Sequence, residues 1–421
     1  MTGFFNKYRK IILVTLFLAV CFLLGFFIYR LFFKTTSPII PSGPTGTTSI
    51  GGLPSAGEGG QQIATTTGPG GIPTAPTAPT APSSPTTGET TISSKAQGGL
   101  TKTTAISSTP GLGAIISSDG QTVQYYNQVD GKFYKVNEKG EAVPLTDKIF
   151  HNVQKIEWSP NSEKAVLEYP DGSKISYDFK TNKQATLPKH WEDINFSPDS
   201  NQLVLKSIGL DVENRWLAIA NTDGTKAKSL EYIGANGDKV YTDWSPNGQT
   251  AAMYVEGLDF SRQELFFVGL NGENFKSTII EGRGFDPLWS EKGDKLLYSV
   301  YSANSDLKPK LWIVNAQGDN IGSNRQDLEI ETWADKCTFA SNSEVYCAVP
   351  DSLDSGAGLL PELANKTQDS LYKIDLTTGT KKLVAIPDGK YNISNLMVSD
   401  GQSKLYFTDA TTKQIYKIDL K

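Results

Sequence analysis

The stretch WSPNSEKAVLEY, residues 158–169, decides the fold because the chain repeats its pattern of an aromatic residue, a polar turn and an apolar strand. Clear copies are FSPDSNQLVLKS from Phe196, WSPNGQTAAMYV from Trp244 and WSEKGDKLLYSV from Trp289, and weaker copies begin at Ile116, Phe339 and Met397. The seven starts are separated by 42, 38, 48, 45, 50 and 58 residues. This is the period of a four-stranded propeller blade. The sequence therefore predicts an all-β, seven-bladed β-propeller.

The residues of the repeat explain why each copy forms a hairpin. Proline presets φ, Asn or Asp caps its own backbone, and Gly accepts positive φ, so Ser-Pro-Asn/Asp-Gly favours a tight turn. An apolar or alternating segment follows each turn, and a third strand and a polar edge strand come after it. One such blade cannot bury both of its faces alone. Several blades must therefore pack around a central channel.

The last repeat lacks an outer strand, since the sequence ends at Lys421 directly after the third strand. An unpaired edge would remain unless another segment covers it. Residues 101–108, just ahead of the first repeat, resemble the outer strand of the preceding blade. We expect strand 101–108 to close the ring beside strand 414–420, which makes residues 101–421 the propeller domain.

The recurring W/F-S-P-D/N-G/S pattern resembles the TolB-like (PD40, WD40-like) propeller repeats, over about three quarters of the chain. It differs from WD40 proper in lacking the Gly-His and Trp-Asp signature. It also differs from TolB, because no separate α/β domain precedes the propeller. The resemblance implies an extracytoplasmic propeller that binds another molecule.

The first residues predict a membrane anchor. Ile11 to Tyr29 contains no charged residue and is long enough to span a bilayer as a helix. Lys7, Arg9 and Lys10 precede it, which favours a cytoplasmic N-terminus. We predict a cytoplasmic segment 1–10 and a transmembrane signal-anchor helix 11–33. A cleaved signal peptide is the alternative, although its apolar region is normally shorter and ends in a small-residue cleavage site.

Residues 34–100 are rich in Gly, Pro, Ser and Thr and include the repeat PTAPTAPTAP. Such a composition cannot bury a core, so we predict a disordered linker with polyproline character. Its roughly 65 residues span about 45 Å as a coil. This reach suits a tether between a membrane and a domain outside it, on the cell surface or in the periplasm. The threonines could carry sugars, which the sequence leaves open.

Charge limits the partners. The chain has 40 Lys and Arg against 45 Asp and Glu, and residues 101–421 hold 34 and 43 of them, a net charge of −9. An acidic propeller argues against a nucleic-acid partner. The same net negative charge is equally typical of a soluble protein surface without a charged binding site.

Cys337 and Cys347 flank the sixth turn almost symmetrically, so they should face each other across a hairpin. Outside the membrane this favours a disulfide, with two small core residues as the alternative. Neither a metal site nor a catalytic site is predicted. The sequence has only His151 and His190 as histidines, and it has no Gly-x-Ser-x-Gly, P-loop, dinucleotide, His-Glu-x-x-His or EF-hand motif. No cofactor is predicted either.

Long loops mark the candidate binding rim. The connections from second to third strand lie on the rim opposite the Ser-Pro turns, and several exceed what a hairpin needs, above all 350–370. Aromatic residues and Arg are enriched at interface hot spots. The leucines of the polar loop 350–370 either dock on the rim as a short helix or are exposed for a partner to bind. Trp191 either contributes to the binding surface or has a buried structural role. The candidate binding residues are Trp191, Arg215, Phe260, Arg262, Arg283, Leu359, Leu360 and Leu363.

Together these features predict a membrane-tethered propeller that acts as a protein- or peptide-binding scaffold in the cell envelope. A glycan-binding or glycan-cleaving propeller with a site at the channel mouth is the first alternative. It would need clustered carboxylates and aromatic residues there. A structural spacer without a ligand is the second alternative, and the propeller fold by itself does not choose among the three.

Overall fold

A computed structural model describes residues 20, 22–24, 26, 92–137 and 140–421 of the chain. Residues 20, 22–24 and 26 are helical. Within the described residues, no helix combines the length and the apolar character that crossing a membrane requires. Most of the predicted segments 1–10 and 11–33, and the predicted linker up to residue 91, lie outside the described residues.

Within that part of the chain, 29 β-strands form seven sheets. The strands before and in the first three blades are β1 (Leu100–Thr101), β2 (Thr104–Ala105), β3 (Gly111–Ile116), β4 (Val123–Asn127), β5 (Lys132–Val136), β6 (Ala142–Pro144), β7 (Lys155–Trp158), β8 (Lys164–Glu168), β9 (Lys174–Asp178), β10 (Lys183–Leu187), β11 (Trp191–Phe196), β12 (Gln202–Ile208), β13 (Arg215–Asn221) and β14 (Lys228–Tyr232). The strands of the last four blades are β15 (Val240–Tyr241), β16 (Ala252–Gly257), β17 (Gln263–Val268), β18 (Thr278–Ile280), β19 (Arg283–Trp289), β20 (Lys295–Tyr301), β21 (Pro309–Asn315), β22 (Gln326–Asp327), β23 (Cys337–Ser341), β24 (Glu344–Pro350), β25 (Asp369–Asp375), β26 (Lys381–Pro387), β27 (Ile393–Val398), β28 (Lys404–Asp409) and β29 (Ile415–Asp419).

Each repeat of the sequence is one antiparallel sheet. Blades 1 to 6 are β3–β6, β7–β10, β11–β14, β15–β18, β19–β22 and β23–β26, and β27–β29 supply three strands of blade 7. First strands contact one another in succession from blade 6 through blades 7, 1 and 2 to blade 3, as the strands that line a central channel do. The predicted all-β, seven-bladed propeller of four-stranded blades is thereby confirmed. Short 3-10 helices interrupt the loops at Val212–Asn214, Gly237–Lys239, Ala303–Ser305, Gly318–Asn320, Ala334–Lys336, Pro361–Ala364 and Asp400–Gln402.

The fourth strand of blade 7 comes from the N-terminal side of the domain. Strand β2 pairs antiparallel with β29, so that Thr104 lies opposite Lys417 and Ala105 opposite Tyr416. Strand β1 adds in parallel to β26, the outer strand of blade 6. The ring is thus closed by a segment far in sequence from its partner strand.

Ordered chain begins earlier than the predicted boundary at residue 101. The backbone N–H of Ala96 donates to the carbonyl of Asp419 at 2.9 Å, and that of Gly98 donates to Val384 at 2.8 Å. Residues 92–100 therefore lie against blades 6 and 7, and their assignment to a disordered linker is wrong. The reason is physical: this Gly- and Ser-rich segment is held mainly through its backbone, which hydrophobic patterning does not report.

The aromatic residue that opens each clear repeat is buried between blades, as the fixed repeat position predicts. Trp158, Phe196, Trp244 and Trp289 all belong to inter-blade core clusters. The indole N–H of Trp158 donates to the carbonyl of Gly113 in the preceding blade at 2.7 Å. The repeat therefore supplies both apolar area and a polar link between neighbouring blades.

The polar turns of the repeats lie side by side on one rim. Within a turn, the Ser159 hydroxyl accepts a hydrogen bond from the N–H of Lys164 at 2.9 Å. Gly293 has φ of 67°, and a Cβ at this position would lie 2.8 Å from the backbone nitrogen of Asn247 in the preceding blade. The turns are thus packed against one another, and the connections from second to third strand lie on the opposite rim.

Candidate functional site

Three loops of the opposite rim form one continuous surface, which we call the rim arch. It consists of residues 258–262 in blade 4, 302–308 in blade 5 and 351–368 in blade 6. The N–H of Gly358 donates to the carbonyl of Leu307 at 2.7 Å, which joins the second and third loops. The first and second loops share a cavity of ≈ 330 Å³ that both Ser261 and Asn304 line. The rim arch therefore spans three adjacent blades without a break.

Phe260 stands at the tip of the first loop with 82% of its surface exposed. The Asp259 carboxylate accepts a hydrogen bond from the N–H of Ser261 at 2.8 Å and forms an ion pair with Arg262 at 2.7 Å. Arg283 of blade 5 donates to the main-chain carbonyls of Asp259 and Phe260. A large apolar side chain is thus held in solvent by a loop that is already ordered. Such pre-organisation lowers the entropy cost of binding.

The third loop presents the leucines that the sequence singles out. Leu359, Leu360 and Leu363 lie in or beside the 3-10 helix Pro361–Ala364 and remain 53%, 54% and 43% exposed. Ala357 and Ala364 of the same loop are buried and anchor it. A short helix does form, but the leucines are not docked into the core. Roughly half of each side chain is available for contact.

A fourth loop, residues 209–214 in blade 3, shows the same construction. Leu210 is fully exposed at its tip. The Nε atom of Arg215 donates to the carbonyl of Gly209 at 3.1 Å and ties the base of the loop. The predicted arginines Arg215 and Arg283 thus hold loops in place, while the apolar residues beside them are presented to solvent.

Trp191 does not belong to the exposed surface, so of its two alternatives the structure contains the buried structural role. It is only 5% exposed and packs with Leu187, Ile194 and Phe196 in the core of blade 3. Trp191 is the first residue of β11, the innermost strand of that blade. The sequence places Trp191 near the rim but does not show whether its side chain is buried; in the structure it packs into the core.

The channel contains a second cluster, made of carboxylates. A cleft of ≈ 410 Å³ is lined by Glu157 on β7, Asp193 on β11 and Asp243, which follows β15. Burial raises the pKa of Glu157 to about 7. Burial also raises the pKa of Asp243 to about 7, and the charges of Glu157 and Asp286 add to this effect. Both carboxyl groups therefore exchange protons near neutral pH.

Asp286 and Asp193 in this cluster have pKa values shifted in opposite directions. Burial and then the charge of Asp335 raise the pKa of Asp286 to about 6. Burial raises the pKa of Asp193 as well, but the hydrogen bond and charge of Lys206 outweigh it, so that the pKa of Asp193 is lowered. The Lys206 Nζ lies 2.7 Å from the Asp193 carboxylate. The channel thus combines an ion pair with carboxyl groups whose pKa values are raised by burial.

Sequence reasoning did not single out these carboxylates, although a signal for them exists. Glu157 and Asp243 directly precede the repeat aromatics Trp158 and Trp244, and Asp286 lies three residues before Trp289. Glu157 and Asp286 lie on the inner strands β7 and β19, and Asp243 follows the inner strand β15. Among the described residues, no three His, Cys, Asp or Glu side chains are grouped closely enough to hold a metal ion.

Cys337 and Cys347 lie directly opposite each other on β23 and β24 and form a disulfide. Both residues are buried in the core between blades 5 and 6. Of the two alternatives for this pair, the structure contains the disulfide. The disulfide links β23 and β24, the innermost hairpin of blade 6, close to the base of the longest loop.

Solved structures share this fold. A propeller domain of Cps50 (Swd1) from Myceliophteria thermophila has a TM-score of 0.50 and 14% identity, covering 76% of this chain and 100% of its own. An oligogalacturonate lyase in complex with manganese has a TM-score of 0.48 and 13% identity, with 76% and 93% coverage. TolB from Acinetobacter baumannii has a TM-score of 0.39 and 11% identity, with 65% and 64% coverage.

The sheet topology defines the class of protein as a seven-bladed β-propeller, and the Cps50 domain is similar to it in fold. No protein-family model matches the chain. The search of curated proteins likewise finds no match. At such low identities the likeness concerns the fold alone, so function has to be argued from the residues of the site.

Proposed function

We propose that this protein is a membrane-tethered, extracytoplasmic propeller that binds a protein or peptide partner through the rim arch. The observation that carries the proposal is Phe260, a largely exposed aromatic side chain on a loop that Arg262 and Arg283 hold in place. Aromatic anchors on ordered surfaces account for a large share of binding energy at protein interfaces. Leu359 and Leu360 extend the apolar surface along the same arch.

The cellular location in this proposal rests on the sequence and on one structural feature. Residues 11–33 have the composition of a signal-anchor, and residues 34–91 have the composition of a flexible tether. The disulfide between Cys337 and Cys347 is of a kind that persists in oxidising compartments and is rare in the cytosol. Together they favour a propeller outside the cytoplasmic membrane.

Site-specific photo-crosslinking in living cells tests the proposal. A photoreactive amino acid is placed at position 260, at position 360 or at position 129 of the full-length protein. Val129 is also a strongly exposed apolar residue, but it lies in the loop of blade 1, outside the rim arch. We expect positions 260 and 360 to capture the same protein, and position 129 not to capture it.

Substitution then links the captured protein to the surface. Phe260→Ala should reduce crosslinking from position 360 several-fold, since the two side chains contact one partner. Val129→Ala, the matched control, should leave it unchanged. Different proteins at positions 260 and 360, or none at either, would refute the rim arch as an interface. The absence of any partner would favour the structural spacer.

The channel supports a second candidate, a propeller that binds or cleaves a glycan. The observation in its favour is that Glu157 and Asp243 have pKa values raised to about 7, as general acids often require. Tyr241 lines the same cleft and offers an aromatic face. The test is incubation of the full-length protein with a panel of acidic and neutral polysaccharides. New reducing ends that disappear in Asp243→Asn would establish this activity, and none with any polysaccharide would reject cleavage.

A further inference from the structure

A groove between blades 3 and 4 lies outside the rim arch and has no part in the proposed function. Its volume is ≈ 280 Å³, and its walls are mainly apolar, with Tyr232 and Ile233 on one side and Tyr254 and Phe266 on the other. Tyr232 is 53% exposed and packs edge-on against Trp216, which is also exposed, with 5.3 Å between the ring centroids. A groove with exposed aromatic walls is suited to hold apolar side chains of another molecule.

One wall of the groove is also an incompletely paired strand. The outer strand of blade 4, β18, pairs with Gln263, Glu264 and Leu265 only. Strand β17 continues to Val268, so within the described residues no strand pairs with residues 266–268 on the outer side. Such an edge offers backbone donors and acceptors to an added strand.

Blade 5 shows that a short outer strand need not leave an edge open. Strand β22 pairs with only Trp312 and Ile313 of β21. Further backbone hydrogen bonds continue the pairing, from Leu311 to Ile330 at 3.1 Å and from Gly322 to Asn315 at 2.9 Å. In blade 4 the chain instead leaves the sheet after β17 as an irregular segment, residues 269–277. The open edge is therefore a particular property of blade 4.

The charges beside the groove restrict its occupant. Glu231 and Glu273 both line it and both are exposed, while no Lys or Arg among the described residues belongs to the lining. Opposite charge on a partner is thereby favoured. An extended peptide that places apolar side chains in the groove and a basic residue at its end satisfies the walls, the edge and the charges together.

We propose that this groove binds an extended peptide segment with alternating apolar side chains and a flanking basic residue, which adds as a short strand to residues 266–268 of β17. The backbone edge supplies the direction and register of the bound segment. The groove takes every second side chain, because alternate side chains of a strand point to the same face. The carboxylates of Glu231 and Glu273 select the basic flank.

Fluorescence anisotropy with a labelled seven-residue peptide tests the proposal on the full-length protein. The peptide alternates valine and threonine and carries a lysine at each end. We expect saturable binding with a Kd below about 1 mM. N-methylation of the peptide backbone at alternate positions removes the donors that face the edge, so one of the two alternately methylated peptides should lose binding and the other should retain it.

Variants locate the binding on the protein. Tyr232→Ala should weaken binding roughly tenfold, as expected for an aromatic anchor. Glu231→Gln combined with Glu273→Gln should weaken it about three- to tenfold and reduce its dependence on salt. Val143→Ala is the matched control, because Val143 is an exposed apolar residue on the outer strand of blade 1. It should leave the affinity unchanged.

Three outcomes would overturn the proposal. Absence of binding at 1 mM peptide, about the expected limit, rejects the groove as a peptide site. Binding that tolerates both patterns of N-methylation rejects strand addition. Sedimentation showing a dimer that Tyr232→Ala dissociates would assign the groove to a second copy of this chain. None of these results bears on the rim arch, so the two proposals can fail independently.

Discussion

The Nε atom of Arg283 in blade 5 donates to the main-chain carbonyl of Phe260 in blade 4 at 3.4 Å, and the same guanidinium reaches the carbonyl of Asp259. An arginine of one blade thus fixes the loop of its neighbour, and the aromatic side chain at the loop tip is presented to solvent as a result. Arg215 does the same within blade 3, where it ties the loop that presents Leu210.

Removal of this guanidinium should loosen the loop without unfolding the domain. In Arg283→Met the apolar stem is retained while hydrogen bonds from a charged donor are lost, each worth about 1.5–3 kcal/mol. We expect amide hydrogen exchange in residues 258–262 to accelerate at least about tenfold, with a nearly unchanged melting temperature. Arg325→Met is the matched control, because Arg325 donates to Ile279 and pairs with Glu281 without touching this loop. Equal exchange in both variants would contradict the assigned role of Arg283.

The closing strand gives a second prediction. A protein that begins at Gly111 lacks β1 and β2, and it exposes the edges of β26 and β29 that they cover. It also loses Thr101 and Ser107, which are buried. We expect a melting temperature at least about 5 °C lower than that of the full-length protein, which corresponds to a loss of a few kcal/mol.

A protein that begins at residue 84 is the control for this truncation. It retains the segment from 92 onward, whose backbone hydrogen bonds reach Val384 and Asp419. Its propeller should therefore melt like that of the full-length protein. If the protein that begins at Gly111 melts at that temperature as well, the N-terminal strands do not stabilise the ring.

The fold could be predicted from the sequence because its signals are local and repeated. The turn after Trp158 and the apolar strand that follows it recur seven times, and a repeat reports its own period. The ordered segment 92–100 could not be predicted, since it is held by backbone hydrogen bonds that leave no apolar pattern. The same holds for the open edge of β17, which depends on how far β18 extends.

The exposure of the candidate site residues could be predicted only in part, and particular residues show why. Phe260 stands out because an aromatic residue in a short polar loop has no strand to bury it. The arginines lie beside the predicted loops, but whether a guanidinium faces a partner or a neighbouring carbonyl depends on contacts that the sequence does not show. Trp191 and Phe260 are both aromatic residues near one rim, yet the first is buried and the second is exposed. This difference depends on the backbone conformation at each position, which the sequence pattern does not show.

The disulfide should contribute measurably to stability. Cys337 and Cys347 are ten residues apart, and closing such a loop is worth roughly 2–3 kcal/mol in the chain-entropy treatment. We expect the double variant Cys337→Ala, Cys347→Ala to have a free energy of unfolding lower by this amount, seen as a lower denaturant midpoint with a similar slope. Reducing agent should destabilise the native protein slowly, because both sulfurs are buried, and should have no effect on the double variant. A midpoint unaffected by the double substitution would show that the bond adds nothing.

The carboxylates of the channel predict an unusual dependence of stability on pH. Unfolded Asp and Glu titrate near pH 4, whereas Glu157 and Asp243 in the folded protein have pKa values of about 7. Between these values the folded state binds more protons than the unfolded state. The free energy of unfolding contributed by these groups is therefore greatest below pH 4 and decreases as the pH rises toward 7.

Asp243→Asn removes one of these titrations. Relative to the native protein, its free energy of unfolding should gain roughly 1–3 kcal/mol between pH 4 and pH 8, measured by denaturant unfolding at both values. Asp193→Asn is the control with the opposite sign. The pKa of Asp193 is lowered by Lys206, so its ionised form stabilises the fold at neutral pH, and its substitution leaves the buried Lys206 amine without its carboxylate partner. That variant should be less stable than the native protein at pH 7 and should approach it as the pH falls below 4. Parallel pH profiles for the native protein and Asp243→Asn would mean that the folded channel does not raise the pKa of Asp243.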